Sequence, residues 1–268
     1  QDFEKKFPKR FKFYQVKFSQ LDDISKDNVD VVIFDLGLSS IQLNDFSRGF
    51  SFKSEKKLDM KMGLNKISAL DAVNKLSELD LKLIIKILGD EKEASLIAKN
   101  IIKYRTLKKI TNTADLVKII KKSKKKNYLS KIDPCTKTFQ ALRIFVNKEI
   151  SELIYGLINS YRILPVGGVI AVVTFHSIED KIVKFFFKNY SKNYSRTNKY
   201  LPEAQKNLSL FENYKNKTIK ASLTEVKRNP RSRSAKLRIA IRSTDTFSDP
   251  KELRNKFKYL TDLEGINA

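Results

Sequence analysis

The sequence predicts an α/β protein: an open, largely parallel sheet carrying an inserted all-helical subdomain. Three observations predict it. Short β-branched runs end on polar residues at 30–37 and 169–177. The apolar positions between those runs recur at helical spacing. Proline and glycine punctuate the changes of period, as Pro165, Gly167 and Gly168 do before the second run.

Taken in order, residues 11–18, FKFYQVKF, alternate apolar and polar and read as a first strand. The second is 30–37, DVVIFDLG, whose four consecutive apolar residues suit a parallel strand covered on both faces. Ile67, Leu70, Val73 and Leu76 then mark a helix, and Leu81, Ile84, Ile85 and Leu88 another that ends at Gly89. Ala94, Ile97 and Ile101 mark a third. Leu116, Ile119 and Ile120 mark a fourth, with Thr113 as its N-cap. One long helix is expected over 138–164, with Phe139, Leu142, Phe145, Ile150, Leu153, Leu157 and Tyr161 on its apolar stripe. The third strand, 169–175, stops at His176-Ser177. A polar connection covers 188–235, and the fourth strand, 236–241, alternates loosely enough for an edge or near-edge place. A crossover between neighbouring strands needs one helix, so four imply an insert. The expected domains are a core in two parts, 1–46 and 138–268, around a helical insert over 47–137.

Composition narrows the function. The 268 residues carry 54 Lys and Arg against 30 Asp and Glu, a formal charge of +24. A hydrophobic content of 41% with 10% aromatics excludes a disordered basic tail. One cysteine, Cys135, and one histidine exclude a disulfide framework and a Cys/His zinc cluster, so no metal is expected. No apolar stretch approaches the roughly 18 residues that span a bilayer, and no signal peptide is recognisable. A soluble cytoplasmic protein with a polyanionic partner is the expectation. The run Lys121–Lys126 reads as a solvated helix end, with a phosphate-contact patch as its other reading.

Ligands of open parallel sheets sit beyond the carboxyl ends of the strands. Two polar clusters occupy such ends: Asp35-Leu36-Gly37-Leu38-Ser39-Ser40-Ile41-Gln42 and Phe175-His176-Ser177-Ile178-Glu179-Asp180. An acid at a strand end costs desolvation unless it makes hydrogen bonds. Taken singly, Asp35 is equally a turn cap and His176 a satisfied core histidine. Two such clusters on one edge point to a ligand site. Glu179 and Asp180 either orient His176 or cap the next helix, with capping favoured. Arg228, Arg231, Arg233 and Lys236 beside the last strand suit phosphate contacts. Arg48 stands near Phe50 and Phe52, two aromatics expected to pack beneath the insert, and is a candidate contact for a ligand or for the polyanionic partner.

Four blocks carry a resemblance: DLGLSSIQL with SRGFSF and LDMKM (35–62), KTFQALRIFVNKEI (137–150), TFHSIEDKIVKFF (174–186) and NPRSRSAKLRIA (229–240). In that order they resemble the MraW/RsmH family of S-adenosylmethionine-dependent methyltransferases of small-subunit (16S) ribosomal RNA. The resemblance implies a class I methyltransferase fold and methylation of the exocyclic N4 of a cytidine. It implies ribosomal RNA or the assembled small subunit as partner, in the bacterial cytoplasm or an organelle matrix. Carried over residue by residue, Phe18, Asp35 and Gln42 match the family's cofactor contacts, and Ile41 stands where the family usually has proline. The family's glycine-rich cofactor turn has no counterpart: no G-x-G occurs, and the only adjacent glycines are Gly167-Gly168. One βα unit and a further strand, very roughly 60–80 residues, are therefore expected before Gln1.

The chemistry explains the residue types. Cytosine N4 is a weak nucleophile, because its lone pair is delocalised into the ring. An acceptor beside its hydrogens localises that pair and then takes the proton. Asp35 or the Ser39-Ser40 turn, with His176, are the candidates. The base must leave its stack to reach them. Two competing readings are a non-catalytic basic RNA- or ribosome-binding protein that keeps the fold, and a methyltransferase acting on DNA or another RNA.

Overall fold

β-branched runs become strands where neighbouring backbones complete their hydrogen bonds, and in the computed structural model this happens at four places. The structure describes residues 2–24, 29–63, 65–124, 133–192, 209–212, 214–243 and 249–268. The strands are β1 (Val31–Asp35), β2 (Val169–Thr174), β3 (Ile219–Lys220) and β4 (Lys236–Ile241). The helices are α1 (Asp2–Lys6), α2 (Leu21–Ile24), α3 (Ser40–Asn44), α4 (Ala69–Lys75), α5 (Glu78–Gly89), α6 (Ala94–Leu107), α7 (Thr113–Ser123), α8 (Thr136–Asn147), α9 (Glu149–Ile163), α10 (Ser177–Asn189), α11 (Leu223–Arg228) and α12 (Lys251–Glu264). None of the described helices is long and apolar enough to cross a membrane. The chain divides into one unit of residues 1–36 and 152–255 and another of 37–151 and 256–268.

The first unit holds the sheet, in the order β1-β2-β4-β3. β1 and β2 are parallel, with Phe34 opposite Val172, and β4 runs antiparallel to both β2 and β3. One face buries Val32, Phe34, Ile170, Val172 and Ala240. α10 packs against β2 and β4, burying Ile182, Val183, Phe186 and Phe187. Gly156 lets Phe18 and Phe34 close in, since a Cβ there would lie 2.8 Å from the Phe18 Cβ.

The second unit is helical. α5 packs against α6 and α8 through Leu81, Ile84, Ile85 and Leu88, all without exposure. The approach is close at Gly89, where a Cβ would lie 2.4 Å from the Lys137 carbonyl oxygen.

Several expectations are corrected. Residues 11–17 form no strand, and Phe18 opens a 3-10 turn over Phe18–Gln20. Alternation alone makes no strand, because a ladder needs a neighbour, and none of the described strands pairs with this stretch. The single helix expected over 138–164 is two helices, α8 and α9. Lys148 between them is left-handed (φ 52°) and donates its N–H back to Ile144 and Phe145. The N-cap of α7 is Asn112, whose side chain accepts from the Asp115 N–H, and Thr113 is the first helical residue. The connection 188–235 contains β3, α11 and a 3-10 turn over Pro230–Ser234, while its residues 193–208 and 213 lie outside the described residues. β1 was expected to be covered on both faces, yet Val31 and Ile33 are exposed. Within the lysine run, Lys124 pairs with Glu91 at 2.6 Å, and Lys125 and Lys126 lie outside the described residues.

Candidate active site at the carboxyl edge of the sheet

Because β1 and β2 are parallel and Asp35 stands opposite Val173, their carboxyl ends share one edge of the sheet. The Leu36 N–H still donates to the Val173 carbonyl at 3.2 Å, so the ladder runs on one residue past Asp35. Asp35 is exposed, and its carboxylate has no ion-pair partner among the described residues.

Three residues past Val173, the second tip is built as a helix cap. His176 has extended backbone (φ −133°, ψ 166°), and its Nδ1 accepts from the Glu179 N–H at 3.5 Å. The Glu179 carboxylate accepts the N–H groups of Phe175 (2.8 Å) and His176 (3.2 Å). Its other oxygen lies 3.0 Å from His176 Nε2, without the alignment of a hydrogen bond. The reciprocal cap satisfies donors at the start of α10 and locks the imidazole in place. Glu179 is thus both the capping residue and the group that orients His176.

Asp180 does neither. It accepts from Arg238 Nε at 2.7 Å and from Lys236 Nζ at 2.9 Å. Burial raises the Asp180 carboxyl's pKa, but the hydrogen bonds from Arg238 and Lys236 outweigh it and hold the group below its usual range. Arg238, 5% exposed, also donates to the Tyr214 hydroxyl at 2.8 Å. The sequence reading missed Arg238. Its signal was parity: in KLRIAI it alternates with Leu237 and Ile239 and so faces the packed side of the sheet with Ala240.

The reversal of β4 has a functional consequence. Lys236, its first residue, stands opposite Thr174, the last of β2, so β4 begins on the edge where β1 and β2 end. Just ahead of it, α11 and the Pro230–Ser234 turn carry Arg228, Arg231 and Arg233, all exposed. Asn229 caps that turn by accepting from the Arg231 N–H at 3.2 Å. Asp35, the His176 tip and this basic turn are therefore brought to one edge. Lys236 is already committed to Asp180.

Phe18 stands in the same unit. Its ring is 42% exposed and packs edge-on against Phe34 at 5.3 Å. Glu152 fixes the backbone there by accepting from the Ser19 N–H, and Asn159 by donating to the Ser19 carbonyl.

The other expected residues lie in the helical unit. Ser39 and Gln42 form a capping box for α3: Ser39 Oγ accepts from the Gln42 N–H (3.2 Å) and Gln42 Oε1 from the Ser39 N–H (3.0 Å). Ser40 is exposed as the first residue of α3, and Ile41, 83% exposed, follows it. Arg48 donates to the Lys61 carbonyl at 2.7 Å and lies 5.3 Å from the Phe50 ring centre. Asn147 was also missed. It accepts from the Met62 N–H and donates to the Met60 carbonyl, both at 2.8 Å, and so clamps a bend in which Met60 is left-handed (φ 59°). A polar residue inside a predicted apolar stripe was its only trace.

A sheet with parallel β1 and β2, an antiparallel β4, helices packed on one face and polar tips at its carboxyl edge defines a Rossmann-like α/β protein, an architecture consistent with the methyltransferase class. Comparison with known proteins gives the family. The MraW methylase family model matches residues 1–243, and the chain belongs to that family. Curated relatives carry the name ribosomal RNA small subunit methyltransferase H. One, from Bartonella grahamii, is 45% identical over 240 residues, covering 90% of this chain and 72% of the relative. The Bartonella bacilliformis protein is 44% identical over 237 residues, covering 88% and 71%. That of Brucella ovis is 41% identical over 249 residues, covering 91% and 72%.

Proposed function

We propose that this protein transfers a methyl group from S-adenosylmethionine to the exocyclic N4 of a cytidine in small-subunit (16S) ribosomal RNA, in the bacterial cytoplasm. The single observation that carries the reading is the convergence of Asp35, the His176 tip and the Arg228–Arg233 turn on one edge of the sheet. An acceptor, a rigid polar tip and phosphate-binding side chains are what a flipped nucleotide requires. Family membership and the relatives' names support the class of reaction.

The residues present suit the cofactor. Phe18 offers a partly exposed ring for an adenine face, and Asp35 an exposed acceptor. The Gln42 amide oxygen is taken by Ser39, which leaves its NH2 group as a donor. Held against Phe18 and Asp35, S-adenosylmethionine would supply a methyl group already activated by its sulfonium.

The chain's own groups do the rest. Arg228, Arg231 and Arg233 hold phosphates and fix the register of the extruded strand. The carboxylate of Asp35 accepts a hydrogen bond from the N4 amine, which localises the nitrogen lone pair. N4 then gains the methyl group and loses one proton to Asp35. His176, with Nδ1 engaged by the Glu179 N–H, forms a fixed polar wall rather than a mobile base. Ser39 and Ser40 remain candidates for contacts to the base.

The test uses the complete polypeptide, labelled S-adenosylmethionine and small ribosomal subunits, with the modified base mapped. Label on a cytidine N4 that falls at least about 100-fold in Asp35→Ala is expected. Transfer to another base or to DNA, or an undiminished Asp35→Ala rate, refutes the reading. Failure to bind S-adenosylmethionine with RNA binding intact leaves the non-catalytic alternative.

A further inference from the structure

The outer face of α10 has a charge pattern that the methyl-transfer reading does not use. α10 begins at the edge where β2 ends and packs back against β2 and β4, burying Ile182, Val183, Phe186 and Phe187. Its opposite face carries Ser177, Lys181, Lys184 and Lys188, all exposed. Steps of four, three and four residues keep these side chains within about 60° of one another around the helix. They form a straight stripe, and its three lysines span about 10 Å along the axis.

Such a stripe is unfavourable in the isolated chain. Lys181 and Lys184 stand three residues apart and Lys184 and Lys188 four, the spacings at which like charges on a helix repel. Exposed lysines on other helices meet an acid at the four-residue spacing, as Lys75 does Asp71 and Lys258 does Asp262. On α10 the residue four before Lys184 is Asp180, and that carboxylate is taken by Arg238 and Lys236. Among the described residues neither Lys181 nor Lys184 has an ion-pair partner. The arrangement becomes favourable when a polyanion with regularly repeating charges lies along it.

We propose that the outer face of α10 is a backbone track for an RNA strand, gripping about three nucleotides beside the one brought to the sheet edge. The inference rests on the reading of that edge as an RNA site, and not on the chemistry performed there. Two observations favour RNA. The Lys236–Asp180 bond ties the first turn of α10 to the residues just after the Pro230–Ser234 turn, so the stripe starts beside the segment that carries Arg228, Arg231 and Arg233. A helix lying on a membrane needs an exposed apolar face, whereas the large apolar residues of α10 are buried on the sheet.

The experiment measures filter binding of unstructured RNA oligonucleotides to the complete polypeptide at graded salt, with no methyl donor present. Lys181→Gln/Lys184→Gln/Lys188→Gln is expected to reduce the slope of log K against log salt by about 2, since each phosphate contact in a single strand contributes about 0.7. Lys5→Gln/Lys9→Gln/Lys12→Gln removes the same charge from exposed positions outside α10. It is expected to leave the slope within about 0.5 of the parent's. The α10 triple variant should melt no lower than the parent, because it relieves like-charge contacts. Equal slopes in the two triple variants overturn the proposal, since the charge would then act only in bulk. A lowered Tm also overturns it, by giving the lysines a structural role. So does an α10 triple variant that keeps its RNA slope but loses binding to phosphatidylglycerol vesicles, which would make the stripe a membrane contact. Methyl transfer is scored separately: a parent protein that binds RNA through α10 yet methylates no cytidine fails the methyl-transfer reading and leaves this one standing.

Discussion

Glu264 gives the sharpest prediction. At the end of α12 it is 2% exposed, and its carboxylate accepts the N–H groups of Ile150 and Ser151 at 2.8 Å and the Ser151 hydroxyl at 2.6 Å. It thus caps the first turn of α9 from a distant part of the chain. Burial pushes its pKa from 4.5 up to about 7, against the three hydrogen bonds that favour the charged form. Between those values the folded chain holds a proton that the unfolded chain has released, so stability falls as pH rises. Over about 2.5 pH units, at about 1.4 kcal/mol per unit, the loss is about 3 kcal/mol and is complete a little above pH 7. Glu264→Gln cannot titrate, and its neutral amide resembles the protonated acid. Urea unfolding of both proteins at half-unit steps from pH 4.5 to 8.5 isolates the effect, because every other titration cancels in the difference. The stability difference between them should shift by about 3 kcal/mol across the window. A difference constant within about 0.5 kcal/mol refutes the reasoning.

Three further outcomes follow from the geometry. Asp180→Ala leaves Arg238 buried without its carboxylate and should cost about 3–5 kcal/mol in chemical denaturation, most of it recovered in Asp180→Ala/Arg238→Met; equal losses in both would show that the pair does not act as a unit. Arg228→Ala, Arg231→Ala and Arg233→Ala should each weaken RNA binding and reduce the slope of log K against log salt by about 1 in filter binding at graded salt. Lys148→Gly should raise stability by about 0.5–1 kcal/mol, since its left-handed backbone suits glycine, as the urea midpoint will show.

What the sequence disclosed was what local chemistry decides. VVIFD and VIAVVT announce strands because β-branched runs bounded by polar residues have few other uses, and both strands form within two residues of expectation. The four helices after residue 67 were legible from their apolar spacing. FKFYQVKF misled because alternation describes a face and not the neighbour that makes a strand. The break at Lys148 was hard to see because apolar residues keep helical spacing on each side of it, Phe139, Leu142 and Phe145 before and Ile150, Leu153 and Leu157 after, with only the five-residue step from Phe145 to Ile150 to mark it. At the site, Asp35 and the His176 tip were visible as polar residues ending apolar runs. The commitment of Lys236 and Arg238 to Asp180 was not, since it depends on a pairing between segments 56 or more residues apart.

The β2–β4 ladder also works as an alignment gauge. A slip of one residue would carry the basic turn about 3.4 Å along the edge and rotate every side chain of β4 to the opposite face. Arg238 would then point away from Asp180 and strand a carboxylate, so the misaligned sheet is penalised electrostatically as well as sterically. The ion pair sets the reach of the arginines as a stop sets the travel of a caliper. Evolution can lengthen or rewrite the connection ahead of β3 without changing the distance between the proposed phosphate contacts and Asp35.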